Sequence, residues 1–271
     1  MTATALASPA GGTVRSFVAL LRRDIRVVGR AKGAFVVRTI MQPALLIFVL
    51  TYVFPEVGQP VGGEANAERY SALVVPGVVG LAIVMQGIQA VALPLVQEFG
   101  FTMEIEDRTL APLPLRLVAL AKVMSGAAQS AIAACVVFPL AYVIPATSVE
   151  LRVDWPVLLT ILPLSCVIAG ALGLWVGTRF DPVRVPLFFS IIVVPLTFLG
   201  AVFYGWRQLD AIVWLRDLVL LNPLVFITEG LRAALTETPH MPLPAIYSAG
   251  MLFAVLLMWA GIRGFERRVV A

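Results

Sequence analysis

Six long apolar stretches dominate this sequence, and they constrain its fold more than any other feature. They run approximately Ala34–Phe54, Ser71–Leu95, Leu117–Ile144, Trp155–Thr178, Val185–Tyr204 and Ile246–Gly264. Each holds about the 20 residues that a helix needs to cross roughly 30 Å of hydrocarbon. Only 13% of the 271 residues are charged and 60% are hydrophobic, a balance too apolar for a soluble core of this length. The expected fold is therefore all-α: a polytopic membrane protein with six transmembrane helices. The spans contain Pro43, Pro76, Pro139, Pro163 and Pro195. Membrane helices tolerate proline where neighbouring groups satisfy the freed carbonyls. Gly170 and Gly173 would allow one helix to approach its neighbours closely.

The basic residues set the orientation. With both termini in the cytoplasm, only Arg69, Arg152, Arg207, Arg216 and Arg232 of the 20 Lys and Arg residues fall outside. The reverse orientation would invert that positive-inside bias. Because the basic residues flank spans, no nucleic-acid partner is expected. The segment 1–13 lacks the basic and apolar regions of a signal peptide, so the first span is expected to remain as an anchor. The preference for Arg over Lys fits a GC-rich bacterial source.

Residues 1–33 form a cytoplasmic N-terminus. At 100° per residue from Val14 to Arg30, Phe17, Leu21, Ile25 and Val28 share a face with Val14, Val18, Leu20 and Val27. Arg15, Arg22, Arg23, Arg26 and Arg30 share the other, and Asp24 alone breaks the apolar side. A basic amphipathic helix before a first span lies in the headgroup plane and contacts membrane lipid. It serves as a topological anchor, as a lever on a cytosolic partner, or as both.

The six-helix transmembrane domain covers 34–264, with a cytoplasmic tail at 265–271. Its inner loop, about 97–116, alternates acid and base through Glu98, Glu104, Glu106 and Arg108. Glu104 and Arg108 are four apart, a spacing that suits a short surface helix. The stretch about 205–236 is apolar enough for a span but carries Arg207, Asp210, Arg216, Asp217, Glu229 and Arg232. Charges at a bilayer centre cost about 2.5–3.5 kcal/mol each on insertion scales. One extra crossing would also place Arg263, Arg267 and Arg268 outside. The expectation is two short outer-face helices that re-enter partway and break at Asn222-Pro223. Asn222-Pro223 would cap a helix, and Glu229 with Arg232 would pair at i, i+3.

Catalytic signatures are missing from the sequence. Lys32 precedes Gly33 and Lys122 precedes Val123, so neither lysine lies in a phosphate-cradling G-x-x-x-x-G-K-[ST] loop. The spans offer Gln42, Gln86, Gln89 and Gln129 but almost no acids, unlike a proton-coupled transporter. One histidine, His240, and two cysteines, Cys135 and Cys166, cannot build a zinc site or a disulfide framework. His240 reads as a loop residue and the cysteines as small buried hydrophobes.

Three motifs together resemble the permease subunits of the ABC-2 type transporter family. The first is the amphipathic helix leading into a span. The second is the inner loop from Glu98-Phe99-Gly100 through Glu104 and Arg108-Thr109-Leu110-Ala111-Pro112-Leu113 to Lys122. The third is Gly200-Ala201-Val202-Phe203-Tyr204-Gly205-Trp206, then Asn222-Pro223-Leu224 and Glu229-Gly230-Leu231-Arg232 before the last span.

The resemblance implies a permease that pairs with a second copy or a homologous permease. Two separate ATP-binding cassette subunits would bind ATP and Mg, leaving this chain without a cofactor. Glu98, Gly100, Glu104, Glu106 and Arg108 would couple to those subunits. Arg22, Arg23, Arg26 and Arg30 would belong to the connecting helix. Tyr204, Trp206, Asn222, Pro223, Glu229 and Arg232 would shape an outer gate. Phe99 departs from relatives, which often carry a second charge there. The implied activity is outward transport of a lipophilic or amphipathic molecule across a bacterial inner membrane. Polymer export is the alternative within the family. A channel or assembly protein, or an intramembrane lipid enzyme, is the alternative outside it.

Overall fold

The computed structural model describes residues 17–19, 21–23, 26, 32–57, 67–100, 114–144, 152–179 and 189–270. Among these residues the regular structure is entirely helical. The long helices are α1 (Lys32–Phe48), α2 (Ala67–Gly100), α3 (Leu115–Val137) and α4 (Trp155–Arg179). Short helices α5 (Val194–Phe198), α6 (Val213–Leu218) and α7 (Pro223–Leu235) follow, and α8 (Leu243–Val270) ends the chain. Near the N-terminus, 17–19, 21–23 and 26 are helical, with Arg22, Arg23 and Arg26 exposed; Arg15 and Arg30 lie outside the described residues.

Five described helices are long and apolar enough to cross a membrane: Phe35–Val53, Tyr70–Phe99, Leu115–Val137, Trp155–Arg179 and Leu243–Val269. A sixth hydrophobic unit is the pair Val213–Leu221 and Pro223–Leu235, bent by 99° at Asn222. The chain is thus a polytopic helical membrane protein. Its centre is α2, whose apolar window is 94% buried against 22% for α1 and for α8. The bare faces of α1 and α8 carry Val37, Met41, Leu45, Leu252, Val255 and Leu256 outward, as lipid-facing helices do.

Small residues make the close packing around α2 possible. A Cβ on Gly173 would lie 2.6 Å from the Gly87 carbonyl oxygen of α2. One on Gly170 would lie 2.5 Å from the Val123 carbonyl oxygen of α3. Both glycines therefore serve as helix contacts, as the sequence predicts. Proline marks the third span's end: α3 stops at Val137, turns through Phe138-Pro139 and resumes for one turn at Leu140–Val143.

Three expectations need correction. The fifth span, read as Val185–Tyr204, is helical in its described part only through Phe198, and 185–188 lie outside the described residues. From Leu199 to Tyr204 the chain turns, with Ala201 at φ 52°. The inner loop begins later than 97, because Gln97–Gly100 continue α2. Cys166 is buried, but Cys135 is exposed on α3. Its flanking apolar sequence carries no information about which side of that helix faces inward. His240 lies in a non-helical connection.

Candidate functional site

The hairpin after α5 is built around α7. Asn222 caps this helix: its Oδ1 accepts from the Leu224 amide at 2.9 Å, with Pro223 in the first turn, where a missing N–H costs nothing. The other end of the same side chain, Nδ2, donates to the Leu196 carbonyl of α5 at 2.8 Å. One residue thus starts α7, breaks the pair and ties the break to the preceding helix.

Further along α7, Glu229 and Arg232 form an ion pair with both side chains fully enclosed. The carboxylate is completely engaged. Oε1 accepts from the Arg232 guanidinium and from the Trp206 amide at 2.9 Å, while Oε2 accepts from the Met241 amide at 2.7 Å. The guanidinium reaches the other way. Its Nη2 donates to the carbonyls of Leu73 on α2 at 3.2 Å, Ala201 at 3.0 Å and Tyr204 at 3.5 Å. Thr228 adds a bond to the Gly200 carbonyl at 2.9 Å.

This explains why the fifth span ends early. Backbone groups of a non-helical turn buried at membrane depth need partners from the protein. Here Arg232, Glu229 and Thr228 supply them. A left-handed alanine costs about 1–2 kcal/mol, and Ala201 is held in that conformation by the guanidinium on its carbonyl. The turn also presses on α2: a Cβ on Gly77 would lie 2.1 Å from the Val202 carbonyl oxygen.

The hairpin's first limb is secured separately. The Trp206 indole donates to the Arg216 carbonyl at 3.3 Å, and the Arg216 guanidinium lies 5.6 Å from the centre of that ring. The Tyr204 hydroxyl donates to the Phe198 carbonyl at 3.0 Å. Tyr204, Trp206, Asn222, Pro223, Glu229 and Arg232 thus belong to one continuous knot.

The opposite end of α2 is organised differently. Glu98 accepts from Lys122 of α3 at 2.7 Å, and both side chains are about nine-tenths buried. Beside the pair lies a cavity of about 350 Å³, lined in part by Arg23, Arg38, Ser125 and Gln129. Phe99 packs edge-on against Phe265 of α8, with ring centres 5.9 Å apart, and lies 4.8 Å from the Arg268 guanidinium. That contact gives the uncharged residue at position 99 a structural reason. Arg116 pairs with Glu266 at 2.7 Å, so the base of the inner loop is fastened to the last helix. Gly100 is the final residue of α2, whereas Glu104, Glu106 and Arg108 lie outside the described residues.

Sequence reasoning included Glu98 and Lys122 but not their pairing, and it missed the Leu73 and Met241 contacts. The available signal was the presence of opposite charges in neighbouring apolar segments, each expensive unless paired. The backbone contacts leave no such signal.

Bent hairpin, enclosed ion pair and buried α2 define a multi-pass helical membrane protein built around a sharply bent helix pair. A profile of the ABC-2 type transporter family matches residues 15–236, which is most of the chain and ends just beyond α7. The chain belongs to the ABC-2 type transporter family. It is also similar to the inner membrane transport permease YadH of Escherichia coli strain K12, at 26% identity over 239 residues, covering 84% of this chain and 88% of that protein. The proteins of the same name from Escherichia coli O157:H7 and Shigella flexneri align with the same identity and coverage. The family makes this chain a transport permease subunit rather than an enzyme.

Proposed function

We propose that this chain is the permease of an ATP-driven exporter of the bacterial inner membrane, with both termini in the cytoplasm. The family match across residues 15–236 carries the reading. Two copies, or one copy and a homologous permease, would form the pathway over two separate ATP-binding cassette subunits that hold ATP and Mg. Closure of those subunits would push the loop that leaves α2 at Gly100, through Glu104, Glu106 and Arg108. The fastening of Glu98 to Lys122 and of Phe99 to Phe265 would pass the push into α3 and α8. Arg22, Arg23, Arg26 and Arg30 would hold the connecting helix at the headgroups. The hairpin knot would form the outer end, moving as a block because Glu229, Arg232 and Asn222 tie its segments together. The cargo class is lipophilic or amphipathic.

The test is gentle co-purification from the native membrane, followed by reconstituted transport. A stoichiometric ATPase partner with ATP-dependent efflux is expected. A chain that always emerges alone, or transport without ATP, would replace this reading with a channel. Accumulation of undelivered polymer after deletion would redirect the cargo to polysaccharide. Glu104→Arg and Arg108→Glu should leave membrane insertion intact and reduce transport per ATP hydrolysed. Unchanged coupling in both variants would remove that loop from force transmission.

A further inference from the structure

We propose that the cavity between α1, α2 and α3 is a binding site for the headgroup of an anionic membrane lipid, held as a resident ligand and not as cargo. The first argument is charge. Among the described lining residues, Arg23, Arg38 and Lys122 stand against one acid, Glu98, which pairs with Lys122. Basic side chains thus outnumber acidic ones among the described lining residues. Among the described residues, Arg38 has neither an ion-pair nor a hydrogen-bond partner. Ser125 and Gln129 add neutral hydrogen-bonding groups.

The second argument is depth. The start of α1, the end of α2 and the start of α3 lie at this end of the bundle. Arg38 is six residues from the start of α1, and Lys122 is seven from the start of α3. At 1.5 Å per residue both lie about 10 Å inside the helix ends, where headgroups meet acyl chains. Basic pockets between membrane helices at that level bind phosphate-bearing headgroups.

The third argument is the adjoining surface. Val37, Met41 and Leu45 form a bare apolar stripe on α1, each more than half exposed. A headgroup on Arg38 would leave its acyl chains beside that stripe. A second pocket of about 20 Å³, room for roughly one water, shares Arg38 with the cavity and is lined by Thr39 and Gln86. The buried Gln86 Nε2 has no partner there, which extends the polar lining inward.

The test requires no ATPase, so its outcome is independent of the transport reading. The full-length chain in mild detergent is titrated with phosphatidylglycerol, or with phosphatidylcholine of the same acyl chains, and retained lipid is counted by native mass spectrometry. Preferential retention of phosphatidylglycerol is expected. Arg38→Gln should weaken it about fivefold, the equivalent of roughly 1 kcal/mol per basic group near anionic lipid, and Arg38→Lys should restore most of it. Arg23→Gln provides the same reading if Arg38→Gln does not fold. Equal retention of the two lipids, or unchanged retention in both Gln variants, overturns the site. Complete displacement by millimolar inorganic phosphate also overturns it, because the pocket would then read a free anion. Loss of lipid on formation of a two-copy particle would assign the α1 stripe to a second chain instead.

Discussion

Among the described residues, two enclosed ion pairs lie at opposite ends of α2, and they use the same chemistry for different purposes. Glu229–Arg232 spans a single turn of α7 and is fully enclosed. Its outward partners are backbone groups: two amides and three carbonyls from three other places in the chain. Glu98–Lys122 joins two different helices and borders a cavity. Its bond runs from side chain to side chain. The first pair completes the hydrogen bonding of a non-helical turn buried in the protein. The second links α2 to α3 through their side chains. Buried charges therefore carry very different structural loads depending on what else they satisfy.

The sharpest way to break this comparison is Arg232→Ala. It leaves an enclosed carboxylate without its counter-charge and removes the guanidinium from three carbonyls, a loss of about 3–5 kcal/mol, so thermal unfolding in detergent should fall steeply or the chain should fail to accumulate. Lys122→Ala should cost less, about 1–3 kcal/mol, because water in the cavity can hydrate Glu98. Near-equal melting temperatures for the two variants would collapse the distinction. Paired apolar replacements sharpen it further. Glu98→Leu with Lys122→Met should recover most of the loss, since both charges leave together. Glu229→Leu with Arg232→Met should recover little, because the Trp206 and Met241 amides and the Ala201 carbonyl remain stranded.

The same contrast explains what the sequence could and could not disclose. The break at Asn222-Pro223 is a local matter of capping and a missing N–H, so it is readable from two adjacent residues. The helix contacts at Gly170 and Gly173 follow from size alone. The early end of the fifth span is not readable in that way. Gly200–Gly205 is as apolar as the helix before it, and what turns it aside is a guanidinium about thirty positions later in the chain. The pairing of Glu98 with Lys122 was legible only as an unpaid desolvation cost on two neighbouring spans, with nothing to show that the charges meet. Cys135 shows the limit of apolar flanks as a burial signal: in a membrane helix both faces are apolar, so the sequence does not separate the protein side from the lipid side.

The smallest expected effect comes from a third ion pair, Arg116–Glu266, at the same end as Glu98–Lys122. Its length is also 2.7 Å, yet Arg116 is 75% exposed. Exposed pairs gain little because water and salt screen them and two long side chains must be held in place. Arg116→Ala should therefore leave the melting temperature of the purified chain unchanged at moderate salt. A loss comparable to that of Lys122→Ala would mean that α3 and α8 depend on this contact, and that the Phe99–Phe265 packing, which ties α8 to α2, does not compensate for it. If stability is unchanged while transport per ATP falls, the pair instead serves the fastening of the inner loop to α8. That fastening has a mechanical role which an equilibrium melt of an isolated chain does not load.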